Sequence, residues 1–355
     1  MRRYSLLATL LLATLFTFVS FSRAQSALLD LPRASQRAEV VQRLGITDIT
    51  IRYHRPLVKS RKVFGGLEPY GKVWRAGANE NTTIEFSDPV TVEGKPLAKG
   101  LYGLHMIPGE AEWTIVFSKN ASSWGSFSYD QKEDALRVTV KSHADEMHDA
   151  LTYDFDDLQP NSTVIVMRWD KVAVPFKVEV NTNDVVEASL HDQLRGRAQY
   201  EWPSWDEAAS YLLDNKMSPE EALKYADHSI QVEERFENLM TKARALDTLN
   251  RKDEATTARN KALGMGTAIQ IHIYGRQMQL QGKQDQAFEV YRTNVKRYPD
   301  NWLVHSEVAR MACAKGDFDT AVKEMKIAAA GATDPNKPAF EALVKRLENK
   351  EDINK

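Results

Sequence analysis

The chain has 355 residues, with 47 Lys and Arg against 49 Asp and Glu and 43% hydrophobic residues, a length for about two domains and a composition that excludes bulk disorder. A formal charge of −2 without a basic block argues against nucleic acid as a partner. One cysteine, Cys313, excludes internal disulfides, so stability has to come from packing.

Met1-Arg2-Arg3, an apolar run from Leu6 to Phe21 and then Ser22-Arg23-Ala24 have the form of a secretory signal cut after Ala24. The expected mature protein is periplasmic or secreted, has lost three arginines, carries a charge of −5, and keeps no membrane span. Residues 25–35 read as an N-terminal extension.

From 36 to 182 the hydrophobic period is two. Val172, Val174, Phe176, Val178 and Val180 share one face, and Trp113, Ile115 and Phe117, then Leu136, Val138 and Val140, then Leu151, Tyr153 and Phe155 repeat the pattern. Further strands are expected near 38–43, 47–54, 81–86, 100–107 and 163–169. Many short strands without a helical period predict an all-β sandwich or jelly-roll-like domain.

The period changes after Asp184. A connector over 183–200 leads into an all-α repeat domain at 201–355. Ala222, Ala255, Ala287 and Ala321 each stand at the start of the second helix of a pair, 33, 32 and 34 residues apart. Gly282 and Gly316 lie five residues before such an alanine, Gly275 lies twelve before Ala287, and Pro299 lies twelve after it. Ser210 and Ala243 stand at the matching glycine position of the first two units. The spacing resembles the tetratricopeptide (TPR) pattern, in which small residues let paired helices pack closely. Phe340, Leu343, Val344 and Leu347 predict a closing helix.

The β segment carries one dense motif: Arg55-Pro56, Lys59 to Leu67, Pro69 to Arg75, Gly77-Ala78-Asn79-Glu80 and Thr82-Thr83-Ile84. It continues through Gly100-Leu101-Tyr102, Ile107-Pro108-Gly109, Glu112-Trp113-Thr114, Trp124-Gly125, Tyr129-Asp130 and Leu136-Arg137-Val138. These residues are closely similar to an exported bacterial family catalogued as domain of unknown function twenty-nine eleven, whose members often carry a helical-repeat tail. The resemblance implies an exported β domain and supplies no activity, substrate or site.

The residues themselves nominate two sites. In the β domain, Arg75, Asn79, Glu80, His105, Trp124 and Arg61 are ligand-binding candidates: arginine forks an anion, asparagine and glutamate read hydroxyls, and Trp124 offers a stacking face for a small polar ligand. In the repeats, Asn238, Lys242, Gln270, Gln277, His305 and Arg310 are candidates for a groove that takes a peptide or protein segment. His143 and His148, with Asp145 and Glu146 between them, lack the spacing of a zinc or calcium site and read as a polar turn. No metal or cofactor is expected, and Cys313 reads as a small buried apolar residue.

The leading functional expectation is a non-catalytic binding or scaffolding protein. The alternative is a hydrolase or transferase using Arg75, Asn79, Glu80 and His105, and a weaker third is envelope assembly or chaperone-like work.

Overall fold

The computed structural model describes residues 32–354, so the expected signal, residues 1–24, lies outside the described residues. Two compact units divide the chain, one running to Arg43 and from Asp48 to Glu179, the other taking Leu44–Thr47 and the residues from Val180 onward.

The first unit contains β1 (Gln36–Leu44), β2 (Thr47–Arg55), β3 (Thr83–Phe86), β4 (Val90–Val92), β5 (Lys95–Leu97), β6 (Gly100–Ile107), β7 (Glu112–Ser118), β8 (Asp134–Lys141), β9 (His143–Asp156) and β10 (Ser162–Glu179). They form a six-stranded sheet ordered β1-β2-β3-β6-β7-β8 and a four-stranded sheet ordered β5-β4-β10-β9. Alternation drives this: Ile49, Ile51 and Tyr53 of β2 are buried while Asp48, Thr50 and Arg52 face outward. Aromatic rings hold the core, with Phe117 of β7 6.1 Å from Phe176 of β10, Trp74 stacked on Trp169 at 5.7 Å, and Phe64 edge-on to Trp113 at 4.8 Å.

Three expectations change here. The stretches near 163–169 and 172–180 form one strand, β10. Ile165, Met167 and Trp169 point inward before Asp170, and Val174, Phe176 and Val178 after it. A bulge at Asp170, whose φ is 57°, supplies the extra residue that reverses the phase. The segment His143–His148 is not a turn but the start of β9, the edge of its sheet. Strands β4 and β5, three residues each around a Glu93-Gly94 turn at positive φ, are too short to announce themselves by period.

The second unit contains α1 (Thr182–Gln193), α2 (Trp202–Asp214), α3 (Pro219–Val232), α4 (Phe236–Thr248), α5 (Lys252–Met265), α6 (Ala268–Leu280), α7 (Gln284–Arg297), α8 (Trp302–Ala314), α9 (Phe318–Gly331) and α10 (Lys337–Glu348). The expected connector at 183–200 is therefore mostly helical: the Asn181 side chain caps α1 by accepting from the Asp184 N–H, and Val185 and Val186 are buried. From α2 to α9 the helices pair as four hairpins. Ala222, Ala255, Ala287 and Ala321 are each the fourth residue of a second helix, and all are fully buried. A Cβ on Gly275 would lie 2.3 Å from the Tyr291 ring, so glycine is required where α6 crosses α7. In the first hairpin the small buried residue is Ala209 rather than Ser210, whose hydroxyl lies 3.3 Å from that of Thr241. Lys216, Asn250, Gly282 and Gly316 fill the turns at positive φ. α10 closes the stack on Val344 and Leu347.

Candidate functional site

The long β2–β3 connection and the β7–β8 loop meet beside β6. Trp74 extends the sheet by exchanging two backbone hydrogen bonds with Met106, at 2.8 and 2.9 Å, which places Arg75 beside the β6 residue His105. The next residue, Ala76, has φ 51°, and its carbonyl accepts from the Tyr153 hydroxyl at 2.8 Å and the Thr82 hydroxyl at 3.2 Å. This turn is fixed from the core outward. Arg75 Nη1 donates to the Asn79 carbonyl, its guanidinium lies 5.4 Å from the Phe127 ring centre, and Gly125 allows the close approach, since a Cβ there would be 2.6 Å from Arg75 Cζ.

His105 is 2% exposed, and its Nδ1 is 2.9 Å from Ser126 Oγ. Burial, helped by the Arg75 charge, lowers its pKa to about 4, so the ring is neutral near pH 7. Glu68 is the residue that sequence reading missed. Burial pushes its carboxyl up to about 7, against the pull of Arg75 and Arg61. Its one signal was position, within the motif between two arginines.

The nominated residues do not converge as one set. Arg75 and His105 come together with Ser126. Glu80 instead pairs with Arg33 at 2.5 Å and with His54 at 3.1 Å. Burial would raise the Glu80 carboxyl, but hydrogen bonds and the charges of His54 and Arg33 hold it below its usual value. The Asn79 side chain donates to the Ser35 carbonyl at 3.1 Å. Trp124 is half exposed and lies over Arg33, with 6.0 Å from Cζ to the ring centre. Arg61 donates to the carbonyls of Val58 and Leu57, bracing its own loop. His148 and Asp145 are 3.5 Å apart, and Arg168 holds the same carboxylate at 3.1 Å. Among the described residues no cluster of His, Cys, Asp and Glu has the form of a metal site.

In the helical unit a groove of about 320 Å³ lies between α4 and α6. Phe236, Met240, Arg244, Gln270, Ile273 and Gln277 are among its lining residues. Gln270 and Gln277 line it, and the other four nominees do not. Asn238 is fully buried and caps α4, accepting from the Arg235 N–H at 2.9 Å and donating to Ser229 Oγ. Lys242 pairs with Asp227 at 2.6 Å, and His305 Nδ1 lies 2.6 Å from Glu324 within its own hairpin. Arg310 is 6% exposed and donates to the Ile353 carbonyl. Cys313 is buried, as expected.

Residues 35–178 match the family described as "Protein of unknown function (DUF2911)". The DUF2911 match thus spans β1 to nearly the end of β10 and includes both loops around Arg75. No curated protein matches the chain. Among solved structures, the chain is similar to the crystal structure of the APC/C hetero-tetramer Cut9-Hcn1, at 20% identity and a TM-score of 0.30, over 46% of this chain and 33% of that one. It is also similar to the crystal structure of MamA, at 18% identity and a TM-score of 0.29, over 43% of this chain and 87% of that one. The chain spans about a third of the first of these neighbours. Among the described residues no helix is long and apolar enough to cross a membrane.

Proposed function

We propose that this is an exported binding or scaffolding protein whose helical hairpins hold a peptide or protein segment in the α4–α6 groove. The observation that carries this reading is the groove itself. Phe236, Met240 and Ile273 give it an apolar floor, Gln277 gives it a hydrogen-bonding group, Gln270 lines it while capping α6 and donating to Glu237, and Ile273 is 48% exposed. Export rests on the N-terminal pattern, and N-terminal sequencing of the mature protein should begin at Gln25. Reading instead from Met1 overturns export.

A photo-crosslinking amino acid at position 273 tests the groove in the producing cell. Discrete protein adducts that Gln277→Ala weakens, and that the same group at exposed Thr256 of α5 does not form, are expected. Equal adducts at both positions would sink the groove.

A second reading is favoured by one contact, the Ser126 to His105 hydrogen bond beside Arg75: a serine, a base and a cation in the order that acyl transfer requires. A histidine held near 4 is a weak base at neutral pH, which keeps this reading second. Ser126→Ala and Arg75→Gln assayed on an ester panel decide it, since only an enzyme loses turnover while keeping its fold.

A further inference from the structure

The last described residues do not trail away from α10. The chain reverses at Lys350, φ 58°, with Lys350 N–H on the Leu347 carbonyl and Glu351 N–H on the Arg346 carbonyl, both at 2.9 Å. Ile353 is then 2% exposed in an apolar cluster with Ala309, Cys313, Met325 and Leu347. Side chains from α8 and α10 read the main chain around it, and one from α6 reads the Asn354 side chain. Arg310 of α8 donates to the Ile353 carbonyl at 2.6 Å, and Arg346 of α10 donates to the Asp352 carbonyl at 2.8 Å. Asn354 accepts from Gln279 of α6 at 2.9 Å and donates to the Arg310 carbonyl at 3.0 Å. Gln279 is itself set by the Tyr291 hydroxyl at 2.8 Å and by Arg276 at 2.5 Å.

A closing helix needs only an apolar stripe, and α10 already has one in Val344 and Leu347. The polar apparatus beyond it has the form of a site for extended peptide: carbonyls gripped by arginines, one aliphatic pocket, one amide recognised from both sides. Arg310 Nε is buried without a hydrogen-bond partner among the described residues, a donor left over inside the site. Charge agrees. Burial, and then the neighbouring charges of Arg276 and Arg346, lower the Arg310 pKa to about 10, and the segment facing these arginines opens with Glu351, 3.2 Å from Arg346, and Asp352.

We propose that α6, α8 and α10 form a peptide-binding site for a short acidic segment ending in an aliphatic residue and asparagine, and that Glu351–Asn354 is its resident occupant, displaceable by an external segment of the same chemistry. The site shares no lining residue with the α4–α6 groove and stands independently of it.

The test is fluorescence anisotropy with a labelled, N-acetylated Glu-Asp-Ile-Asn-Lys peptide. A chain stopped after Lys350, which keeps the α10 cap, should bind the peptide at least tenfold more tightly than the full chain does. Arg310→Gln in the shortened chain, or Asp for Ile in the peptide, should remove binding. A folded shortened chain that ignores the peptide, or binds it no better than the full chain, overturns the proposal. If shortening abolishes the helical circular dichroism signal, the full-length Ile353→Asp chain takes its place. If that variant unfolds too, the segment is part of the core and the proposal fails.

Discussion

Glu307 and His272 sit deep in the repeat, Glu307 Oε1 3.0 Å from His272 Nδ1 and 2.7 Å from Asn294 Nδ2. That spacing suits an ion pair, but burial works against both charges: it raises Glu307 to about 8 and, with the charges of Arg310 and Arg276, lowers His272 to about 3. The pair is a neutral hydrogen bond at neutral pH. The protonated carboxyl stabilises the fold fully below its ordinary value of 4.5, and that contribution is lost as pH rises through about 8. The neutral ring contributes above its ordinary value of 6.5, and its contribution is lost as pH falls toward 3. Thermal melts should therefore show the midpoint falling between pH 6.5 and 8.5, and Glu307→Gln should flatten that limb while leaving the acid limb in place. An unchanged alkaline slope in the variant would remove Glu307 as its cause. At Gly275 the argument is steric. Alanine places a methyl 2.3 Å from Tyr291, a fully buried ring tied to Gln279, and a loss of about 1–3 kcal/mol is expected from denaturant melts despite alanine's better helix propensity.

At the scale of elements, what could be read in advance followed period and spacing. The four alanines fix four second helices because close helix packing admits only small side chains there, and β2 alternates without interruption, whereas β6 and β7 are buried on both faces over part of their length. What could not be read depended on contacts between distant residues. The phase reversal at Asp170 looks like a strand end until both halves are seen in one ladder. Asn238 and Arg310 look like groove residues until their partners, Ser229 and Ile353, are known. The motif loop was legible as a shaped loop but not as a site. Arg75, Asn79 and Glu80 are neighbours in sequence, yet a chain that passes through positive φ at Ala76 and Asn79 sends their side chains to different partners. Gly125 belongs to this scale, since φ +65° and the Arg75 contact both require it. Gly125→Ala should displace the guanidinium at a cost of about 1–3 kcal/mol, measured by thermal melt. A midpoint equal to wild type would mean that the two loops are not coupled through that contact.

For the whole molecule, the second unit is a series of apolar clusters, each shared by neighbouring helices. Each hairpin of the second packs mainly on its sequence neighbours, as expected where stability sums over adjacent repeats. A fragment beginning at Val180 should therefore retain its helical signal and a cooperative melt. A fragment that stays unfolded at every temperature would show that the repeats need the β unit as a template.

The edge position of β9 has one more effect. The loop Pro56–Val58 covers its outer rim only at Asp149–Leu151, through bonds at 2.8 and 3.1 Å, so residues 143–148 present a stretch of rim not covered by that loop. An open rim of backbone donors and acceptors invites a foreign strand, and Asp145 and Glu146 place acidic side chains beside the backbone where such a strand would have to dock. Acidic side chains on an edge disfavour pairing with a second chain, an effect that the segment read from sequence as a polar turn is placed to exert.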